Sequence, residues 1–239
     1  MIQISNTETY GWEAAIRGMR NPMNSWNKSD SGICYEAVSC HTCQNDRNNC
    51  DANMRKGNFV IGYNDLDLMK RLSKAGTDHR KYLRMIAVYC DITAPLYWWK
   101  EFDTYKVGTV ANSCSTMHKI HAKRFSIDDF SHEYLDVYRE HVMYAPTKYR
   151  FSSTDLLELE IAVLNQCRDK YLETKDKKYW WQMIQLLPSS YNQKRTVMLN
   201  YEVLANIYKS RRNHKLEEWH DFCDWIEKLP YSRLITREE

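Results

Sequence analysis

Only 7 glycines and 5 prolines punctuate the 239 residues of this chain. Tight turns draw on those two residues, so a chain this poor in them cannot supply the many hairpins of a β-sandwich or barrel. The expectation is a helix-rich α+β protein with few tight turns. A hydrophobic share of 43% and a charged share of 27% are ordinary for a globular domain, and the length suffices for a substantial core. The net charge of +3 is mild, which disfavours nucleic acid or an anionic membrane as partner. No stretch approaches the ~20 apolar residues that span a bilayer. The opening MIQISNTETYGW lacks the basic and apolar regions of a signal peptide. Cytoplasm, where thiols stay reduced, is the expected compartment.

Local pattern divides the chain further. Ile2 to Ile4 suits a short first strand and WEAAIRGM (12–19) a short helix ending near Gly18. Residues 21–56 are polar and irregular, with a Cys-rich loop insertion assigned to 27–58. Asn64 or Asp65 can cap a helix through LDLMKRLSKAG, with Gly76 placed to end it. Residues 84–92, RMIAVYCDI, are rich in β formers and predict a buried strand. Thr93 is the expected cap of a helix with Pro95 in its first turn, where a missing N–H costs nothing. Helices are further predicted over 126–143, 154–173, 197–210 and 216–228, with a break at Leu187-Pro188. No repeat or linker is visible, so a single domain over 1–239 is the simplest division.

Several constellations carry chemistry. Residues 94–118, APLYWWKEFDTYKVGTVANSCSTMH, concentrate aromatic, charged, amide and hydroxyl groups. Such a mix suits a pocket that stacks a flat ring and hydrogen-bonds its edge. In the Cys-rich loop, Cys40 and Cys43 form a C-x-x-C pair beside His41. A metal-free loop with surface thiols is the favoured reading, because no second C-x-x-C follows. If metal binds, a structural zinc on Cys34, Cys40, Cys43 and Cys50 is expected. Cys114, near His118 and His121, could serve as a nucleophile only with an activating base. No hydrolase signature surrounds it, and a structural or incidental thiol is favoured, since buried free cysteines are common. Lys100, Lys106, Lys119 and Arg124 either meet a phosphate or form a solvated face. Asn206, inside an otherwise apolar helix, needs a partner for its amide. Arg211 could grip a phosphate bidentately.

The order of these elements resembles the flavin-dependent thymidylate synthases, the ThyX family, over most of the chain outside the Cys-rich loop. The matching features are WEAAIR, then AGTDHRKYLRMIAVYCDITAP, the aromatic helix, and the Asn-x-x-Ser core from Asn112 through Ser113 and Cys114 to Ser115. Leu187-Pro188, Asn200, Asn206, Arg211 and His214 follow in the family's order. The departures are also specific. The family's Arg-His-Arg is Tyr105-Lys106-Val107 or Thr104-Tyr105-Lys106, depending on a one-residue gap. Its closing Arg is Met117, its flavin-contacting His is Met85, its Gln is Glu101, and the arginine before Leu-Pro is absent.

The resemblance implies a ThyX-like fold, a helix-rich domain on a small mixed sheet, and a homotetramer with sites shared between subunits. It implies FAD, with NADPH and methylenetetrahydrofolate as co-substrates, and C5 methylation of a pyrimidine nucleotide, dUMP or a variant such as dCMP. No protein nucleophile is required. Carried over by position, Tyr105, Lys106, Asn112, Asn200 and Asn206 would bind cofactor. Glu101, Ser113, Ser115 and Arg211 would bind substrate. Because a carboxylate accepts hydrogen bonds where an amide also donates, Glu101 could favour cytosine. The second reading is a catalytically inactive ThyX-like protein that binds a nucleotide or a protein. A zinc-stabilised nucleic-acid module is the weakest.

Overall fold

A computed structural model describes residues 2–34, 59–143 and 148–237. Strand β1 (Gln3–Tyr10) leads into helix α1 (Trp12–Arg20). Two 3-10 turns follow, Asn21–Met23 and Trp26–Lys28. The short strands β2 (Gly32–Ile33) and β3 (Phe59–Val60) pair antiparallel. Next come α2 (Tyr63–Lys74), a 3-10 turn Lys81–Met85, β4 (Ala87–Pro95) and α3 (Leu96–Phe102). Strand β5 (Val110–Ser113), α4 (Thr116–Lys119) and the antiparallel pair β6 (His141–Met143) and β7 (Tyr149–Phe151) precede the long α5 (Ser153–Thr174). The chain closes with α6 (Lys177–Leu186), β8 (Asn192–Asn200), α7 (Tyr201–Arg211), α8 (Glu217–Glu227) and α9 (Arg233–Thr236). The four-stranded sheet has the order β1-β4-β8-β5. The architecture is α+β and helix-rich, as the scarcity of glycine and proline predicts. No helix of the described residues is long and apolar enough to cross a membrane.

The chain packs as two compact units. One comprises Met1–Ser5, Asp91–Thr104 and Ala111–Thr196; the other comprises Asn6–Cys90, Tyr105–Val110 and Val197–Glu239. The first has a core of Ile120, Phe125, Phe130, Leu157, Leu164, Cys167 and Met183, built on the pair α5 and α6. Asn165 is buried there, and its side chain bonds both the N–H and the carbonyl of Phe125 at 2.9 Å, as a strand neighbour would. A buried amide is tolerated when its donors and acceptors are met in this way. In the second unit the 3-10 turn Lys81–Met85 packs against α1 and α7, and α9 packs against α7, α2 and α8. Two buried ion pairs tie these elements: Arg20–Asp65 at 2.6 Å joins α1 to α2, and Arg80–Glu202 at 2.9 Å joins the start of the turn to α7. Asp65 also accepts the hydroxyls of Ser29 and Ser31, both at 2.6 Å. Burial works to raise its carboxyl, but the hydrogen bonds from Ser29, Ser31 and Arg20 outweigh burial and hold it below the ordinary value.

Several sequence expectations are corrected. The predicted helix over 126–143 is a single 3-10 turn, Ile127–Asp129, closed by a Ser126–Asp129 capping box. Phe130 is then extended and bridges Tyr191, which ends the helical path. Thr93 is not a cap but lies within β4. Pro95 caps α3, whose first N–H groups reach the carbonyls of Tyr191 and Ser189, both at 3.0 Å. The helix predicted from Val197 begins at Tyr201, because Val197 and Leu199 alternate with more exposed neighbours as a strand does. Asp65 is not a cap but sits inside α2, whose N-cap is Gly62. Gly18 lies within α1, which continues to Arg20.

Candidate functional site

The tryptophans of the central segment are core, not platform. On α3 the small repeat of Trp98, Trp99 and Phe102 buries all three. Trp98 meets Trp99 edge-on at 5.0 Å and stacks on Phe102 at 5.1 Å. Glu101 remains half-buried on the same helix.

In this first unit Asn112, Ser113, Cys114 and Ser115 are all exposed. β8 holds them: the Cys114 N–H reaches the Lys194 carbonyl at 2.9 Å, and Gln193 Nε2 donates to the Cys114 carbonyl at 3.0 Å. Ser115 is the N-cap of α4, its Oγ accepting from the His118 N–H at 3.0 Å. Cys114 is exposed. Two cations on β8 escaped sequence reading. Arg195 lies 4.1 Å over the Trp99 ring and bonds Asp103 Oδ1 at 2.7 Å and Gln193 Oε1 at 2.9 Å. Lys194 pairs with Asp91 at 2.9 Å, and its ammonium is held above its ordinary value by that hydrogen bond and charge. No local pattern marks them: QKRTVML runs four polar residues and then three apolar ones, not the alternation that announces a strand.

In the second unit the structure brings Tyr105 and Arg211 together. Arg211 Nε donates to the Tyr105 hydroxyl at 2.9 Å, and the guanidinium lies 4.7 Å over the Trp219 ring. Trp219 is itself edge-on to Tyr105 at 6.1 Å and to His214 at 6.3 Å. Arg211 is therefore oriented from two directions by a hydroxyl and an aromatic face. Trp219 carries this role from α8, and nothing in its position in the sequence announced it.

Asn200 is the N-cap of α7: its Oδ1 accepts from the Val203 N–H at 3.0 Å, and its Nδ2 donates to the Gly108 carbonyl at 3.4 Å. This amide anchors the loop that carries Tyr105 and Lys106. Gly108 has φ 80°, and a Cβ there would lie 2.7 Å from Asn200 Nδ2. Gly108→Ala should therefore destabilise by about 1–3 kcal/mol, with lost α7 capping adding roughly 1 kcal/mol; thermal unfolding followed by circular dichroism measures it.

Asn206 is exposed, so the expected buried amide is not there. Lys106 is exposed as well. Thr109 Oγ1, in the same loop, is buried with no hydrogen-bond partner among the described residues. Glu101, Asn112, Ser113 and Ser115 belong to the first unit, and the remaining candidates to the second.

Cys34 is buried. Cys40, Cys43 and Cys50 lie outside the described residues. Among the described residues no group of three or more His, Cys, Asp or Glu is placed to hold a metal ion.

No protein-family model matches the sequence, and no curated protein matches it significantly. Solved structures do match. The flavin-dependent thymidylate synthase ThyX from Helicobacter pylori, in complex with FAD and dUMP, superposes with a TM-score of 0.63 at 14% identity, covering 98% of each chain. A second ThyX structure from the same organism, with FAD and dUMP, gives 0.61 at 14% identity over 99% of this chain and 98% of that one. The UMP/dUMP methylase PolB from Streptomyces cacaoi, bound with 5-Br dUMP, gives 0.54 at 12% identity over 99% and 95%. The fold is therefore that of the flavin-dependent thymidylate synthases, as the order of motifs predicts.

Proposed function

We propose that the protein is a flavin-dependent enzyme that installs a one-carbon group at C5 of a pyrimidine deoxynucleotide, dUMP or a variant such as dCMP. Methylenetetrahydrofolate would be the donor and NADPH the reductant. The observation that carries this reading is the nearly full-length likeness of the fold to two enzymes whose structures hold FAD and dUMP. The donor set suits the cofactor: Lys106 offers an exposed cation for a diphosphate, Asn206 an exposed amide, and Thr109 a buried hydroxyl lacking a partner among the described residues. Tyr105, Lys106, Asn112, Asn200 and Asn206 would hold flavin, which supplies the hydride when bound. Arg211, Glu101, Ser113 and Ser115 would hold the nucleotide, Arg211 at its phosphate.

A homotetramer belongs to the same reading. Leu156, Leu159 and Trp181 stand largely exposed on α5 and α6, apolar surface that association of copies would cover.

With FAD, NADPH and methylenetetrahydrofolate present, C5-tritiated dUMP or dCMP should release label to water, because the C5 hydrogen leaves as the new carbon is installed. Retention of label on both nucleotides, with flavin bound, would reduce the protein to a binding role. Glu101→Gln should move the preference from dCMP toward dUMP by about tenfold. Unchanged relative rates would remove Glu101 from base recognition.

A further inference from the structure

Gln193 and Arg195 of β8 take no part in the assignments above, yet they join two of the segments that carry them. Both lie in the first unit, with α3 and β5. Side chains two apart on a strand share a face, and Arg195 Nε donates to Gln193 Oε1 at 2.9 Å. Gln193 Nε2 donates in turn to the Cys114 carbonyl at 3.0 Å. In the other direction, Arg195 Nη1 donates at 2.7 Å to Oδ1 of Asp103, the C-cap of α3. A continuous run of side-chain bonds therefore leads from a point two residues past Glu101 to the segment holding Ser113 and Ser115.

Chemistry gives this run one consistent polarity. A guanidinium only donates and a backbone carbonyl only accepts. Gln193 must therefore turn its oxygen to Arg195 and its nitrogen to Cys114; the reversed amide would set donor against donor and oxygen against oxygen. Each member is also fixed from a second side. Arg195 lies 4.1 Å over the ring of the buried Trp99, and Trp99 Nε1 donates to the backbone carbonyl of the buried Gln193 at 2.9 Å. β5 neighbours β8 in the sheet and ends at Ser113. The Gln193 side chain thus extends the hold of β8 past the end of that strand, onto exposed residues.

We propose that Gln193 and Arg195 are positioning residues, which set the hydroxyls of Ser113 and Ser115 in register with α3 and its Glu101 carboxylate. The proposal rests on the reading of Glu101, Ser113 and Ser115 as nucleotide ligands. Gln193 and Arg195 act through the segments they hold. Misplacing a ligand-holding group by about 1 Å can cost roughly a hundredfold in rate. An exposed segment just past a strand end therefore gains from a side chain that fixes it.

Gln193→Glu is the discriminating variant: its carboxylate still accepts from Arg195 but cannot donate to the Cys114 carbonyl. Arg195→Lys, the second variant, keeps the charge beside Asp103 but loses the planar fork that reaches Asp103 and Gln193 together. Hydrogen–deuterium exchange of the full chain without nucleotide, read by mass spectrometry, should show the amides of 112–115 exchanging about fivefold faster in both variants. Exchange in α5 and the melting temperature should stay the same. Titration calorimetry with FAD present should show the tighter-binding of dUMP and dCMP weakened by about tenfold. Unchanged exchange over 112–115 in both variants would overturn the proposal. So would unchanged nucleotide affinity, or a loss of affinity that only follows a lower melting temperature. Wild-type protein that binds neither nucleotide would instead sink the reading of Glu101, Ser113 and Ser115 as ligands; the exchange rates then decide by themselves whether Gln193 and Arg195 hold the segment.

Discussion

Asp65→Asn should cost about 3–5 kcal/mol of stability, because it strands a buried guanidinium. For a chain of this size that lowers Tm by roughly 6–20 °C. Arg20 is 4% exposed and Asp65 fully buried. The carboxylate gathers Arg20, Ser29 and Ser31, together with the backbone N–H groups of Asp30 and Ser31. Removing its charge leaves Arg20 facing, among the described residues, neutral acceptors: the carbonyls of Ser25 and Lys28 and the Ser25 hydroxyl, beside the amide of the substituted side chain. The pH dependence has a defined sign. The folded-state value of Asp65 is depressed, so its contribution is complete above the unfolded carboxylate value of about 3.9. It is lost as pH falls through the lower folded value. The gap between wild type and Asp65→Asn should thus be constant near neutrality and shrink in acid. Denaturant titrations at several pH values measure it; a gap that does not change with pH would mean the carboxylate is not the source.

Arg211→Ala should weaken dUMP binding by roughly thirtyfold, about 2 kcal/mol for a charge-assisted hydrogen bond. Binding of deoxyuridine, which lacks the phosphate, should stay the same. Tyr105→Phe keeps the ring but deletes the hydroxyl that accepts from Arg211 Nε, and should cost dUMP about fivefold, in line with a single neutral bond. Titration calorimetry with both ligands separates the two contributions. Equal losses for dUMP and deoxyuridine in Arg211→Ala would show that Arg211 supports the pocket rather than the phosphate.

These residues also mark how far the sequence could be read. The near-helical spacing of Leu156, Leu159, Val163, Cys167 and Tyr171 predicts α5 over 154–173, within a residue of its bounds at each end, and Leu187-Pro188 marks the point where α6 stops; yet Leu156 and Leu159 are exposed, and Leu157 and Leu164 fill the core instead. Phe130 illustrates the opposite case. Its run looks helical, but its backbone pairs with Tyr191, some sixty residues away, a contact no local pattern contains. Trp98 and Trp99 had the composition of a ligand platform and proved to fill each other's surroundings, because an aromatic helix buries itself wherever core volume allows. Arg211 was legible as a cation at a helix end; the Tyr105 hydroxyl and the Trp219 face that orient it were not, since they come from distant segments. The motif order was sufficient to anticipate the fold, whereas the roles of its polar residues depend on ligands that sequence order alone does not display.

The most direct measurement is the visible absorption spectrum of the freshly purified protein, repeated after addition of FAD and gel filtration. The account predicts a flavin spectrum that stays with the protein through filtration, from a site supported by Tyr105, Lys106 and Asn206. A colourless protein that fails to retain added FAD would contradict it and leave a thymidylate synthase fold without its redox cofactor.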